Sequence, residues 1–261
     1  MNYVATSFIY DGIPSEKFGL FLCNLDETGS QEYDSSGNIT IHTTKTPRMD
    51  RSYLMGVEYE DMFEFELVFG SSIPQTKFDI DVIMKWLIGH NQFKKLQIVQ
   101  EDMANVYFNC IMTEPQIVSY SNVPYAFKCK VICDSPYALT VPKLYYYNKT
   151  GTQSSVLHFN NGQINKSVLP IIRFTCTRTN GAVMIINKSN NNWKSEFIEL
   201  QKGEIVTVDN QLQTIASSLG RKILSNFNKH WFELVPKRNE LVIDGDLDRL
   251  EISYSDAKLI G

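Results

Sequence analysis

Histidine is scarce in this sequence, and its four residues, His42, His90, His158 and His230, lie far apart. None belongs to a His-Glu-x-x-His frame, so each reads as a structural or surface residue and no metal centre is expected. Cysteine is also thin and odd in number: Cys23, Cys110, Cys129, Cys133 and Cys176 do not form the dense, even framework of a small secreted domain. Reduced thiols are expected. Cys129 and Cys133 lack the two-residue spacing of a redox or zinc pair. An excess of positive charge is missing too. Lys plus Arg number 25 against 29 Asp plus Glu, a net charge of -4 that leaves no strong field to hold nucleic-acid phosphates. The start, Met1 to Phe8, has neither the basic segment nor the apolar run of a signal peptide. The longest apolar stretches, such as Ala182 to Ile186, fall far short of the ~20 residues that cross a bilayer, so a soluble chain without membrane insertion is expected. The 14 glycines never gather into a phosphate loop with Lys and Ser/Thr, which removes the case for a nucleotide cofactor. Asn-x-Ser/Thr triplets at Asn38, Asn148, Asn165 and Asn187 would matter only in a eukaryotic secretory route, which nothing else suggests.

What the chain has is apolar and aromatic surface. Hydrophobic residues make up 43%, with 15 Phe and 13 Tyr, enough to bury real cores and to exclude disorder. At 261 residues, two domains are favoured over one. Phe63, Phe65, Leu67 and Phe69 alternate with Met62, Glu64 and Glu66 and read as a half-buried strand. Phe127, Cys129, Val131 and Cys133 alternate with Lys128 and Lys130, which places both thiols in a core. One helix is predicted over 77–88, opened by a Thr76/Asp79 capping box, striped by Phe78, Val82, Ile83, Trp86 and Leu87, and closed by Gly89. Segments 96–99 and 106–111 read as a hairpin joined through Glu101 and Asp102. The texture changes at Pro136 to Pro142, and the turn-rich stretch Asn148 to Ser155 follows. Beyond it, strand candidates at 155–159, 169–176, 182–186, 196–200, 204–208, 231–234, 240–243 and 249–254 recur at sandwich spacing. The expectation is a mainly β protein: a β-barrel or sheet with one α-helix over 1–138, then a β-sandwich over 139–261.

Few residues invite chemistry. Asp244, Asp246 and Asp248 alternate like a calcium loop, but Arg249 and Ser255 stand where its Gly and Glu belong, so a hairpin turn is the reading. Tyr145, Tyr146, Tyr147, Trp193 and Trp231 could offer stacking faces to sugar rings. Trp231 fits a strand core better, and Trp193, in an Asn-rich turn, is the remaining candidate platform. Lys45 to Ser52 forms a basic patch around Pro47, either a solvated loop or a contact arm between subunits carried by Arg48 and Arg51.

At this point the order of motifs resembles a known family. Phe8-Ile9-Tyr10-Asp11-Gly12-Ile13-Pro14-Ser15 with Phe18-Gly19-Leu20, the capped helix with Lys85-Trp86-Leu87, Leu96, Val106-Tyr107-Phe108 and Cys133-Asp134-Ser135-Pro136-Tyr137-Ala138 are similar to the N-terminal domain of siphophage distal tail proteins. Leu200 to Val208, Phe232 to Leu234 and Pro236-Lys237-Arg238-Asn239 resemble that family's closing segment. There a Gly often stands where this chain has Lys237 or Arg238. The resemblance implies a six-fold ring joining tail tube to tail-tip hub around a DNA ejection channel, with an outward β-sandwich of galectin-like or carbohydrate-module type near receptor-binding components. It further implies a virion protein made in the bacterial cytoplasm, with no cofactor and no catalysis.

The function expected is therefore structural, by complementary burial at repeated interfaces. The alternative is a carbohydrate-binding adhesion module, which an exposed aromatic platform would favour. A glycoside hydrolase would need two carboxylates across a cleft, and no local motif provides them.

Overall fold

Alternation of apolar and polar residues organises nearly the whole chain, and a computed structural model describes residues 7–23, 39–48, 50–59, 62–120 and 123–259. Residues 1–6, Asn38 and Met49 lie outside these. Contacts divide the chain into a first unit running to Thr140 and resuming at Ala257, and a second, Val141–Asp256.

The first unit contains β1 (Ser7–Tyr10), β2 (Ile13–Pro14), β3 (Leu20–Leu22), β4 (Ile39–Thr44), β5 (Tyr53–Tyr59), β6 (Glu64–Ser71), α1 (Lys77–Ile88), β7 (Lys94–Val99), β8 (Val106–Tyr120), β9 (Val123–Cys133) and β10 (Ala138–Thr140). Its main sheet runs β2-β1-β7-β8-β9-β6-β3. Of the two expected forms, barrel or sheet, this is an open sheet. Phe65, Leu67 and Phe69 point into the core, while Glu66 and Glu64 face out and pair with Lys128 and Lys130 of β9 at 2.6 Å each. Cys110, Cys129 and Cys133 are buried free thiols, and burial pushes Cys129 and Cys133 up to about 12. The helix has both arms of its capping box: Thr76 Oγ1 accepts from the Asp79 N–H at 3.2 Å, and Asp79 Oδ2 accepts from the Thr76 N–H at 2.9 Å. Trp86 stacks on Phe8 at 5.8 Å and donates its indole N–H to the Tyr10 carbonyl at 3.1 Å.

The helix stripe needs correction. Ile83, Trp86 and Leu87 are buried, but Phe78 is 75% exposed and Val82 also faces solvent. At 100° per residue, Phe78 and Val82 fall on the side opposite Ile80, Ile83 and Leu87, so i, i+4 spacing joined two different faces.

The second unit contains β11 (Lys143–Asn148), β12 (Gln153–Asn160), β13 (Ile171–Cys176), β14 (Gly181–Asn187), β15 (Trp193–Leu200), β16 (Ile205–Asp209), β17 (Thr214–Ser217), β18 (Lys237–Gly245) and β19 (Leu247–Tyr254). A five-stranded sheet, β11-β19-β13-β16-β17, faces a four-stranded one, β12-β18-β14-β15. Phe174 and Phe197 meet between them at 5.2 Å, in the core of a β-sandwich. The expected strand at 231–234 is not a strand: Phe232 and Leu234 are buried, yet only the Leu234–Val168 bridge forms. Asn210 ties this segment down instead, accepting from the Phe232 N–H at 2.6 Å and donating to the Pro170 carbonyl at 2.5 Å. The Asp244–Asp248 turn is not a hairpin either. It carries the chain from β18 in one sheet to β19 in the other, and Asp246 Oδ2 accepts from the Ala182 N–H at 3.0 Å. Lys237, at a position where the resembling family often has Gly, adopts a left-handed φ of 69°.

One strand remains. β20 (Ala257–Lys258) returns to the first unit, where Ala138 pairs with Lys258 and Leu139 with Ala257. The division thus ends differently from the expected 139–261 block, because a two-residue strand carries no periodic signal. The second unit is inserted between two neighbouring strands of the first.

Candidate assembly surface

A two-stranded antiparallel sheet needs another surface to be stable, because one side of a hairpin cannot bury the other's apolar groups. β4 and β5 form such a hairpin and, among the described residues, pair with no other sheet. Ile39 lies opposite Tyr59, and Ile41 opposite Val57; a register shift then sets Thr43 against Leu54 and leaves Met55 as the extra residue. Ile39, Ile41, Tyr53, Leu54, Met55 and Val57 are each between 44 and 69% exposed. The signal was present in the alternation of Ile39 and Ile41 with Thr40 and His42. Nothing local reveals, however, that these side chains stay exposed in the fold.

The turn of this arm carries the predicted basic patch. Arg48, at a left-handed φ of 76°, and Arg51 are both exposed, and neither makes an ion pair with another described residue. His42 Nε2 and Glu58 Oε2 close one side of the hairpin at 3.0 Å. The outward side chains of α1, Phe78 and Val82, add a second uncovered apolar strip to the same unit.

The other candidate residues are dispersed. Trp193 opens β15 rather than lying in a turn; it is 41% exposed, donates its indole N–H to the Trp231 carbonyl at 2.9 Å and leans on His230 at 4.8 Å. Trp231 is half-buried against the core. The three tyrosines form β11, with Tyr145 and Tyr147 turned inward and Tyr146 outward. His158 is 1% exposed, with Tyr147 Oη 2.5 Å from Nδ1 and Tyr254 Oη 2.8 Å from Nε2. Burial lowers its pKa to about 4, against a smaller opposing pull from Asp256. Among the described residues, no three His, Cys, Asp or Glu side chains come together as a metal site. No described helix is long and apolar enough to cross a membrane.

Comparison with known proteins bears on this arrangement. Two family profiles match, one described as a phage tail protein N-terminal domain over residues 3–135 and one as a phage tail C-terminal domain over residues 137–254. The chain belongs to this phage tail protein family. Solved structures agree in fold. The phage tail protein matches the Dit protein of phage SPP1, described as a paradigm of the hub adsorption apparatus in phages infecting Gram-positive bacteria. That match has a TM-score of 0.69 and 12% identity over 95% of this chain and 98% of that one. A chain of the phage P2 baseplate in its activated conformation matches with a TM-score of 0.53 and 8% identity, over 96% and 98% of the two chains. No curated protein matches the chain. As a phage tail protein, it is a structural component of the virion.

Proposed function

We propose that copies of this phage tail protein associate through the β4–β5 arm into a closed ring of six, seated between tail tube and tail-tip hub, through which DNA passes without being held. The observation that carries this is the arm itself, whose apolar side chains are exposed and whose strands pair with no other sheet among the described residues. An arm on one copy and a receiving surface elsewhere on the next make a heterologous contact, which generates a ring when its rotation closes. Arg48 and Arg51 add a charged contact at the tip. A net charge of -4 suits a conduit for a polyanion, since dense phosphate contacts would retain it. The second unit is then free to approach receptor-binding components, and no step requires catalysis.

The test is solution mass by light scattering across a concentration series, with negative-stain images of the same samples. Wild type should give hexameric rings with a central hole. Ile41→Asp with Leu54→Glu should abolish them, and Arg48→Glu with Arg51→Glu should raise the concentration needed for assembly at least tenfold. Arm variants that form rings as readily as wild type, or that complement a phage lacking this gene to equal plaque yield, would refute the reading.

A further inference from the structure

A groove of about 710 Å³ on the five-stranded sheet of the second unit plays no part in that assembly argument. It opens where the β13–β19 register breaks: Phe174 lies opposite Leu250, but Cys176 lies opposite Leu247. Asp248 and Arg249 therefore both stand against Thr175. A bulge of this kind bends its strand and re-aims side chains, and the space it leaves falls within the ~300–1,000 Å³ usual for ligand sites.

We propose that this groove binds a segment of an acidic polysaccharide, hydroxylated rings carrying carboxylate or phosphate groups. Its cations are fixed yet have donors to spare. Arg249 lies 4.8 Å over the Tyr146 ring and donates through Nη2 to Glu251 Oε1 at 2.7 Å. Arg173 Nη1 is 3.8 Å from Glu251 Oε2, an ion pair too long to be a hydrogen bond, so its guanidinium fork remains available. The Lys149 ammonium pairs with no carboxylate among the described residues. Two carboxylates, Asp248 and Glu251, line the same groove. They reject a dense polyanion such as nucleic acid, and they accept hydrogen bonds from ligand hydroxyls. Glu251 answers Arg249 and, at longer range, Arg173, so three cations against two carboxylates leave the groove one positive charge in excess, centred on Lys149, which a neutral ligand would not meet; a bare anion would face two carboxylates. A sugar that donates through hydroxyls and accepts through an acidic group satisfies both sets. Because Arg249 already covers the Tyr146 face, charge and hydrogen bonding recognise this ligand ahead of ring stacking.

The experiment is calorimetry on the full chain with oligogalacturonate, a phosphorylated mannan, and a neutral galactan of equal length, at low and high salt. Wild type should bind at least one acidic polymer, at least tenfold more tightly than the neutral one and less tightly at high salt; which acidic polymer binds identifies the acid. Arg173→Ala with Arg249→Ala should lose at least tenfold, and the milder Arg173→Gln should lose part of that with an unchanged thermal transition. Lys202→Ala, outside the groove, and Trp193→Ala should both bind as wild type. The proposal fails if neither acidic polymer binds, if neutral galactan binds equally, if the arginine variants keep full affinity, or if Trp193→Ala alone removes binding.

Discussion

Acidification should weaken the second unit through one side chain, His158. Its imidazole is buried between the two sheets, faced by Tyr145 and Tyr147 from β11 and by Tyr254 from β19, with Asp256 as the charged group acting on it. The pKa falls from the ordinary 6.5 to about 4 because the folded environment desolvates the cation. Between those values the unfolded chain takes up a proton that the folded one refuses, so stability drops as pH falls through this window and levels off below it. At about 1.4 kcal/mol per unit the full effect is roughly 3 kcal/mol, of which about 2.5 kcal/mol is reached by pH 4.5. Urea unfolding followed by tryptophan fluorescence measures it. A Trp86→Phe background leaves only Trp193 and Trp231, both in the second unit, as reporters. Carboxylates contribute to acid loss as well, so His158→Gln in the same background provides the baseline. Wild type should lose about 2.5 kcal/mol more than His158→Gln between pH 7.5 and 4.5, a midpoint difference of more than about 1 M urea. Equal losses within about 0.5 kcal/mol, or a loss beginning only below pH 4, would show that the buried imidazole does not control this behaviour.

Three substitutions probe backbone and capping. Gly245→Ala would place a Cβ 2.1 Å from the Ala182 carbonyl oxygen at a φ of 92°; it should cost at least about 3 kcal/mol, seen as a lower thermal transition of the second unit. Lys237→Gly should move the other way, raising stability by up to about 1 kcal/mol in urea unfolding, because it releases a side chain held at a φ of 69°. Thr76→Ala removes one arm of the capping box and should cost about 1 kcal/mol, accompanied by faster amide exchange in the first turn of α1.

Where a single face of a single element decided burial, the sequence was a sufficient guide. Alternation around Phe65 and Cys129 located two core strands, and Thr76, Asp79 and Gly89 bounded the helix. Failures came where the deciding partner was remote. Phe78 and Val82 share i, i+4 spacing with buried Trp86, yet they lie across the helix from Ile83 and Leu87, and only the packed sheet shows which side is covered. The turn at Asp246 looks like any Asp-Gly hairpin, because membership of one sheet or the other depends on strands far away in the chain. Tyr145 and Tyr147 read as exposed aromatics until pairing with β19 placed β11 in a sheet and turned them to the core, leaving Tyr146 outside. The acidic-sugar groove was out of reach for the same reason: Lys149, Arg173 and Arg249 are brought together by three strands and one register shift. The arm lies between these cases. Its alternation was readable, whereas the exposure of both its strands was a property of the fold.

The return of the chain to β10 has a consequence for synthesis. β20 follows the whole second unit in sequence, so a ribosome releases it only after residues 141–256 have emerged. Until then the edge of β10 that accepts Ala257 and Lys258 has no strand to pair with. The unit encoded first is therefore the last to close, and a nascent chain stalled within the sandwich would carry an open sheet edge able to recruit a wrong partner.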